Sequence, residues 1–229
     1  MLKNHKKFTF LFSVIIILNL LVQSALFQEY VLFIKPLICI SLGAYFYVQV
    51  NMNLGFNRLV LSGLLFSLFG DSFLIFAGSD VYFFLYGLVS FLLAHIVYSM
   101  AFFRDFKNNP QASKVYGHLM LFVMGVFSLS YYSWIRDYLN DFRIPVMAYM
   151  FVISMMAILA GYRYRRVNLL SFRLIYWGAL FFVISDSALA YNKFVEPFSF
   201  SGVLIMATYM IAQYLITLGA IERKVEIFE

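Results

Sequence analysis

Apolar runs of about twenty residues recur from one end of this chain to the other, broken only by short polar stretches. A helix needs roughly 20 apolar residues to cross about 30 Å of hydrocarbon. Eight such runs nearly exhaust the 229 residues. Lipid offers backbone groups no hydrogen-bond partner, so the spanning elements must be helices, and the runs are too long for barrel strands. Composition agrees, because only 12% of the residues are charged, against about 25% in soluble domains. The expected fold is all-α: a polytopic transmembrane bundle forming a single domain over residues 1–229. The eight spans are expected at residues 8–27, 31–50, 57–77, 81–103, 115–134, 144–161, 172–191 and 199–220.

Punctuation falls where these spans need it. Gly78-Ser79-Asp80 separates the third and fourth spans, Asn108-Asn109-Pro110 sits in the next loop, and Glu196-Pro197 precedes the eighth. The net charge of +6 raises the question of nucleic acid, but the cations sit in loops and report topology instead. With the amino terminus in the cytoplasm, thirteen Lys and Arg fall on that side and only Arg136, Arg143 and Lys193 on the other. That is a positive-inside asymmetry, and an even number of spans puts both termini in the cytoplasm. The expected setting is a bacterial plasma (inner) membrane. Lys3, Lys6 and Lys7 ahead of an apolar stretch also resemble a signal peptide, with Val22-Gln23-Ser24 as a passable cleavage site. The run is long and the loop pattern works with it retained, so it is read as a span. Cys39, the single cysteine, excludes an internal disulfide.

The chain also echoes itself. Phe66-Ser67-Leu68-Phe69-Gly70-Asp71-Ser72 resembles Phe181-Phe182-Val183-Ile184-Ser185-Asp186-Ser187, and Lys35-Pro36 has a counterpart in Arg143-Ile144-Pro145. A four-helix offset keeps orientation, so a 4+4 arrangement would be a parallel repeat about an axis along the membrane normal.

Charges inside a bilayer cost at least about 2.5–3.5 kcal/mol each at mid-helix. Lys35, Asp71 and Asp186 therefore stand out, with His95 as a fourth titratable group. At 1.5 Å per residue the first three lie within roughly 6–10 Å of the outer boundary, which suggests one water-accessible pocket. Two readings compete: a buried salt bridge that fixes packing, with Lys35 alternatively snorkelling to headgroups, or a pair of carboxylates of which one stays protonated as an acid and one ionised. His95 shares a helical face with Gly87, Phe91 and Tyr98. It is expected about 14 residues from the outer end, roughly 20 Å deep and well below the aspartates, as either a catalytic or a satisfied interior histidine. Tyr149, Tyr209 and Gln213 are candidates to line the same cavity. No His/Cys cluster has metal spacing, so no metal is expected, and no glycine-rich phosphate loop or GxSxG elbow points to a cofactor or a serine nucleophile.

In order along the chain, Lys35-Pro36, the Gly63–Asp71 segment, the Gly87/Phe91/His95/Tyr98 face, Pro145-Val146 with Tyr149, Ser185-Asp186-Ser187 and Ala212-Gln213 resemble the YhhN-like family of lysoplasmalogenases. The resemblance covers about residues 30–220. It implies a membrane hydrolase of ether-lipid metabolism that cleaves the vinyl ether bond of lysoplasmalogens to a fatty aldehyde and glycerophosphocholine or glycerophosphoethanolamine. It implies a lysophospholipid substrate reached within the membrane, with no nucleic-acid partner and no cofactor. Vinyl ether hydrolysis needs a general acid, an anion to stabilise the oxocarbenium ion, and a base to orient water. Asp71 and Asp186 would divide those roles, with His95 or a tyrosine relaying a proton, and Lys35, Tyr98, Tyr149, Tyr209 and Gln213 contacting substrate. A transporter or lipid-binding protein using the same carboxylates for proton or cation coupling is the alternative. An intramembrane aspartyl protease is a more distant one, since the FGD and SD flanks do not match the pattern expected of it.

Overall fold

The computed structural model describes residues 5–23 and 27–226. Lys3 and the Ser24 end of the candidate cleavage site lie outside the described residues, as do residues 24–26 of the first expected span. The helices are α1 (Lys6–Leu21), α2 (Val31–Ile34), α3 (Leu37–Gln49), α4 (Gly55–Ile75), α5 (Val81–Asn108), α6 (Val115–Ile135), α7 (Arg143–Gly161), α8 (Leu169–Ala190) and α9 (Ser201–Ile221). A π-helical turn, Tyr191–Val195, extends α8. Among the described residues the β structure is one isolated bridge, Val167 to Val225. Seven helices, with α2 and α3 counted as one, are long and apolar enough to cross a membrane.

The remaining expected span, the first, is α1, whose 16 residues fall short of that length. It nonetheless runs beside most of α9. His5 Nε2 meets Glu222 Oε1 at 2.8 Å at one end, and Gln23 packs on Gly202 at the other. The start of α1 and the end of α9 therefore meet at one end of the bundle. Arg104, Lys107, Lys114, Arg163, Arg166 and Arg223 gather at that basic end, whereas Arg136, Arg143 and Lys193 lie at the opposite one.

The outer surface is apolar. Phe10, Phe33, Val48, Leu129 and Ile144 are each more than two-thirds exposed, the inverse of a water-soluble bundle. Inside, small residues let helices approach closely, as at transmembrane interfaces generally. A Cβ on Gly178 of α8 would stand 3.0 Å from the Ala212 carbonyl of α9. The Gly78-Ser79-Asp80 turn ends in a cap, with Asp80 Oδ1 accepting from Tyr82 N–H at 2.9 Å.

Lys35-Pro36 interrupts the second span, between α2 and α3. Pro36 has no N–H to give, and Ile38 N–H turns to the Lys35 carbonyl at 3.2 Å. The Ile34 carbonyl is then served by Asn19 Nδ2 of α1 at 3.2 Å. Asn19 is fully buried and satisfies the carbonyl that the shifted Ile38 bond leaves open.

The basic end is locked by a buried cluster. Asp105 Oδ2 accepts from Arg163 Nε at 2.8 Å and Oδ1 from Arg223 Nε at 2.8 Å. Arg163 Nη2 also reaches Ser171 Oγ at 2.8 Å. Arg166 donates to the loop carbonyls of Asn109, Ser113 and Ala112 at 2.8, 3.2 and 3.1 Å. Arg163 and Arg166 were counted in the sequence as loop charges reporting topology, but they are buried and tie α5, α7, α8 and α9 together. Burial lowers the pKa of the Arg163 guanidinium from its ordinary value, and Asp105 beside it works in the other direction.

The internal echo extends beyond the aspartate motif. Gly63 and Gly178, Asp71 and Asp186, Ser72 and Ser187, Gly87 and Gly202, and Tyr98 and Gln213 all stand 115 residues apart. At that offset α4 and α8 both end four residues after their aspartate. Tyr98 O–H donates to Gln213 Oε1 at 2.9 Å, so the two equivalent positions touch each other. If an axis relates the halves as the sequence echo expects, a contact between equivalent positions would lie on it.

Candidate functional site

Asp71 sits four residues from the end of α4 and is 1% exposed. Its Oδ1 faces Lys35 Nζ at 3.7 Å, from the break between α2 and α3. Its Oδ2 accepts from Tyr209 O–H of α9 at 2.6 Å and lies 3.7 Å from Cys39 Sγ of α3. Cys39 Sγ is itself 3.2 Å from the Tyr209 hydroxyl. Gln213 Nε2, one turn along α9, donates to that hydroxyl at 3.4 Å and joins it to Tyr98.

Asp186 has different company. Its Oδ2 lies 3.0 Å from His95 Nε2 of α5 and accepts a short hydrogen bond from Tyr149 O–H of α7. His95 Nε2 and the Tyr149 hydroxyl are 2.9 Å apart, so the three groups close a triangle. His95 is fully buried, and its Nδ1 finds no hydrogen-bond partner among the described residues. A proton on Nδ1 would be an orphaned buried donor, so the neutral ring carries its proton on Nε2. Phe182 packs on His95 with centroids 4.6 Å apart, and both Phe182 and Phe91 touch Tyr209, forming an aromatic wall between the clusters.

Each aspartate is thus held by the preceding span of its own half and by the last helix of the other half. Asp71 takes Lys35 and Cys39, then Tyr209; Asp186 takes Tyr149, then His95. The layout repeats while the chemistry does not. One carboxylate faces an ammonium and the other an imidazole.

Both carboxylates line one cavity of about 320 Å³, with Lys35, Tyr209, Asn192 and Lys193 also in its wall. It lies toward the less basic end, where Ala77 and Gly78 close α4 and Gly202 opens α9. A separate, apolar slot walled by Phe127, Tyr131, Met150, Ile153 and Phe194 shares Asp186 with it. Tyr149 lines the slot. Tyr98 and Gln213 are fully buried behind Tyr209 and reach neither space.

His95 departs from its expected depth. It touches Asp186 instead of lying well below it, because α8 runs further toward that end than its apolar run suggested. α5 begins at Val81 as expected, whereas α8 with its π turn extends to Val195. Counted from Val195, Asp186 is nine residues or about 14 Å deep, against about 21 Å for His95 from Val81. The two side chains nonetheless meet at 3.0 Å. Cys39, Asn192 and Lys193 were missed in the sequence, although a signal existed for two of them. Cys39 is one turn from Lys35, and Lys193 two turns from Asp186.

Known proteins supply the remaining comparison. Over 169 residues the chain is 36% identical to lysoplasmalogenase TMEM86A of Homo sapiens, covering 72% of this chain and 66% of that protein. It is 33% identical over 172 residues to lysoplasmalogenase TMEM86A of Bos taurus, covering 72% and 66%. It is 31% identical over 188 residues to lysoplasmalogenase TMEM86B of Rattus norvegicus, covering 82% and 70%. The matched segments thus span about two-thirds of these relatives' lengths. No solved structure matches. The family model for the YhhN family matches residues 30–220, which contain every residue of both aspartate clusters, and the chain belongs to the YhhN family.

Proposed function

We propose that this protein is a membrane-embedded hydrolase that cleaves the vinyl ether bond of lysoplasmalogens, releasing a fatty aldehyde and a glycerophosphocholine or glycerophosphoethanolamine. The observation that carries the reading is the pair of unlike carboxylates on one cavity beside an apolar slot. In this reading the alkenyl tail enters the apolar slot and the glycerol end faces the polar cavity. Similarity to proteins named lysoplasmalogenase supports the substrate class.

The chemistry divides between the two clusters. Protonation of the β-carbon of the vinyl ether gives an oxocarbenium ion; water adds to it and returns one proton, and the hemiacetal collapses to aldehyde and free hydroxyl. In this reading Asp71, with Lys35 at 3.7 Å, is placed to stabilise the developing cation. The Asp186–His95–Tyr149 triangle passes one proton: it delivers it to carbon, then recovers it from the attacking water. Both termini face the cytoplasm, so the cavity lies toward the outer leaflet.

The test is aldehyde release from a lysoplasmalogen and from its ester analogue. Asp71→Asn and Asp186→Asn, with folding intact, each lower release from the vinyl ether by about 10²–10⁴-fold. Absence of turnover with either lipid, together with proton-coupled uptake into vesicles, would sink the reading in favour of transport.

A further inference from the structure

The cavity holds one cation that the chemistry above leaves unused. Two carboxylates and two lysines line it. Lys35 is committed to Asp71, and Asp186 to His95 and Tyr149. Lys193 makes no ion pair among the described residues, and its Nζ lies 4.9 Å over the Phe84 ring, another cavity-wall side chain. A lysine over an aromatic face beside open space is a point charge available to an anion.

Its position has a register. Lys193 follows Asp186 by seven residues, two turns along the same face and about 10 Å nearer the membrane surface. It sits in the π-helical turn Tyr191–Val195, where Glu196 N–H reaches back five residues to the Tyr191 carbonyl at 3.2 Å. Such single widened turns are rare and concentrate at functional sites. Asn192, beside it in the cavity wall, accepts from Phe198 N–H through Oδ1 at 3.4 Å, which leaves its Nδ2 free to donate. The first turn of α9 opens at Gly202 on the same wall without a side-chain cap and adds its positive pole.

We propose that Lys193, with Asn192, binds the phosphate of the lysophospholipid headgroup and so selects phosphorylated alkenyl lipids over neutral alkenylglycerols. The proposal rests on the hydrolase reading. With the ether bond at Asp186, the glycerol carbons and the Lys193 side chain together cover the two turns between them. Lys193 acts on binding, and Asp186 on the bond.

Kinetics on two substrates test it: an alkenyl lysophosphoethanolamine and the corresponding phosphate-free 1-alkenylglycerol. Lys193→Gln raises KM for the phosphorylated lipid about tenfold with kcat within twofold. Lys193→Arg restores most of the loss, and KM for the phosphate-free lipid moves less than twofold. Equal KM shifts on both substrates, or a wild-type protein with no preference for the phosphorylated lipid, would overturn it. A binding measurement separates this failure from failure of the hydrolase reading. In native mass spectrometry the Asp186→Asn protein retains ester lysophosphatidylethanolamine over monoacylglycerol, and adding Lys193→Gln abolishes that preference. Preference that survives Lys193→Gln overturns the phosphate site whether or not aldehyde is ever released. Displacement of the lipid by inorganic phosphate alone would assign the site to free phosphate instead.

Discussion

Removing the ammonium opposite Asp71 has a size that the structure sets. Lys35 Nζ and Asp71 Oδ1 are 3.7 Å apart, with the lysine side chain 12% exposed and the aspartate 2%. Coulomb attraction at that distance is about 4.5 kcal/mol at an effective dielectric of about 20, and water in the adjoining cavity reduces it. Lys35→Met leaves a buried carboxylate without its cation, at about 3 kcal/mol. Asp71→Asn costs about 1 kcal/mol, because the freed ammonium can extend into the cavity. Independent sites would make the double variant cost about 4 kcal/mol; the pair is expected to make it cost about 2, a coupling of about 2 kcal/mol. The measurement is reversible unfolding in bicelles for the wild type, both single variants and the double. Additivity within about 0.5 kcal/mol would refute the reasoning and show Lys35 to be a headgroup anchor with no hold on Asp71.

Tyr149→Phe removes a donor to Asp186 and lowers kcat for aldehyde release about 10–100-fold with little change in stability. Tyr98→Phe instead strands Gln213 away from the cavity and costs about 1–3 kcal/mol of stability, read by thermal unfolding. Arg163→Met leaves Asp105 with Arg223 alone and destabilises by about 3 kcal/mol, while activity per folded molecule stays at the wild-type level. Gly178→Ala pushes a methyl onto the Ala212 carbonyl and Ile216, and costs about 1–3 kcal/mol in the same assay. A Lys193→Cys variant reacts with an impermeant maleimide from outside intact cells, while buried Cys39 stays silent; failure to label would invert the orientation and the leaflet assigned to the cavity.

Periodicity made the helices legible, because apolar length is what a bilayer demands and the chain supplies it run after run. The scarcity of intramembrane charge likewise pointed to Lys35, Asp71 and Asp186 before any geometry was known. Depth was less legible. Counting residues from the end of an apolar run assumes that the helix stops there, yet α8 continues through a π turn past Lys193. Pairing was illegible too. Nothing in the sequence around Asp105 marks that Arg163 and Arg223, which follow two other helices, close on it. Asn19, one polar residue in an apolar run, gave no hint that it serves a carbonyl freed by Pro36.

The contact of Tyr98 with Gln213, two positions 115 residues apart, bears on the ancestry that a parallel repeat would imply. Two four-helix units of the same orientation, related by an axis along the membrane normal, have the geometry of a parallel homodimer. In such a dimer one gene writes both carboxylate environments, so a lysine beside one aspartate is a lysine beside the other. Fusion lifts that restriction: Lys35 can be kept for Asp71 while Asp186 acquires His95, and two copies of one residue become free to take on separate work.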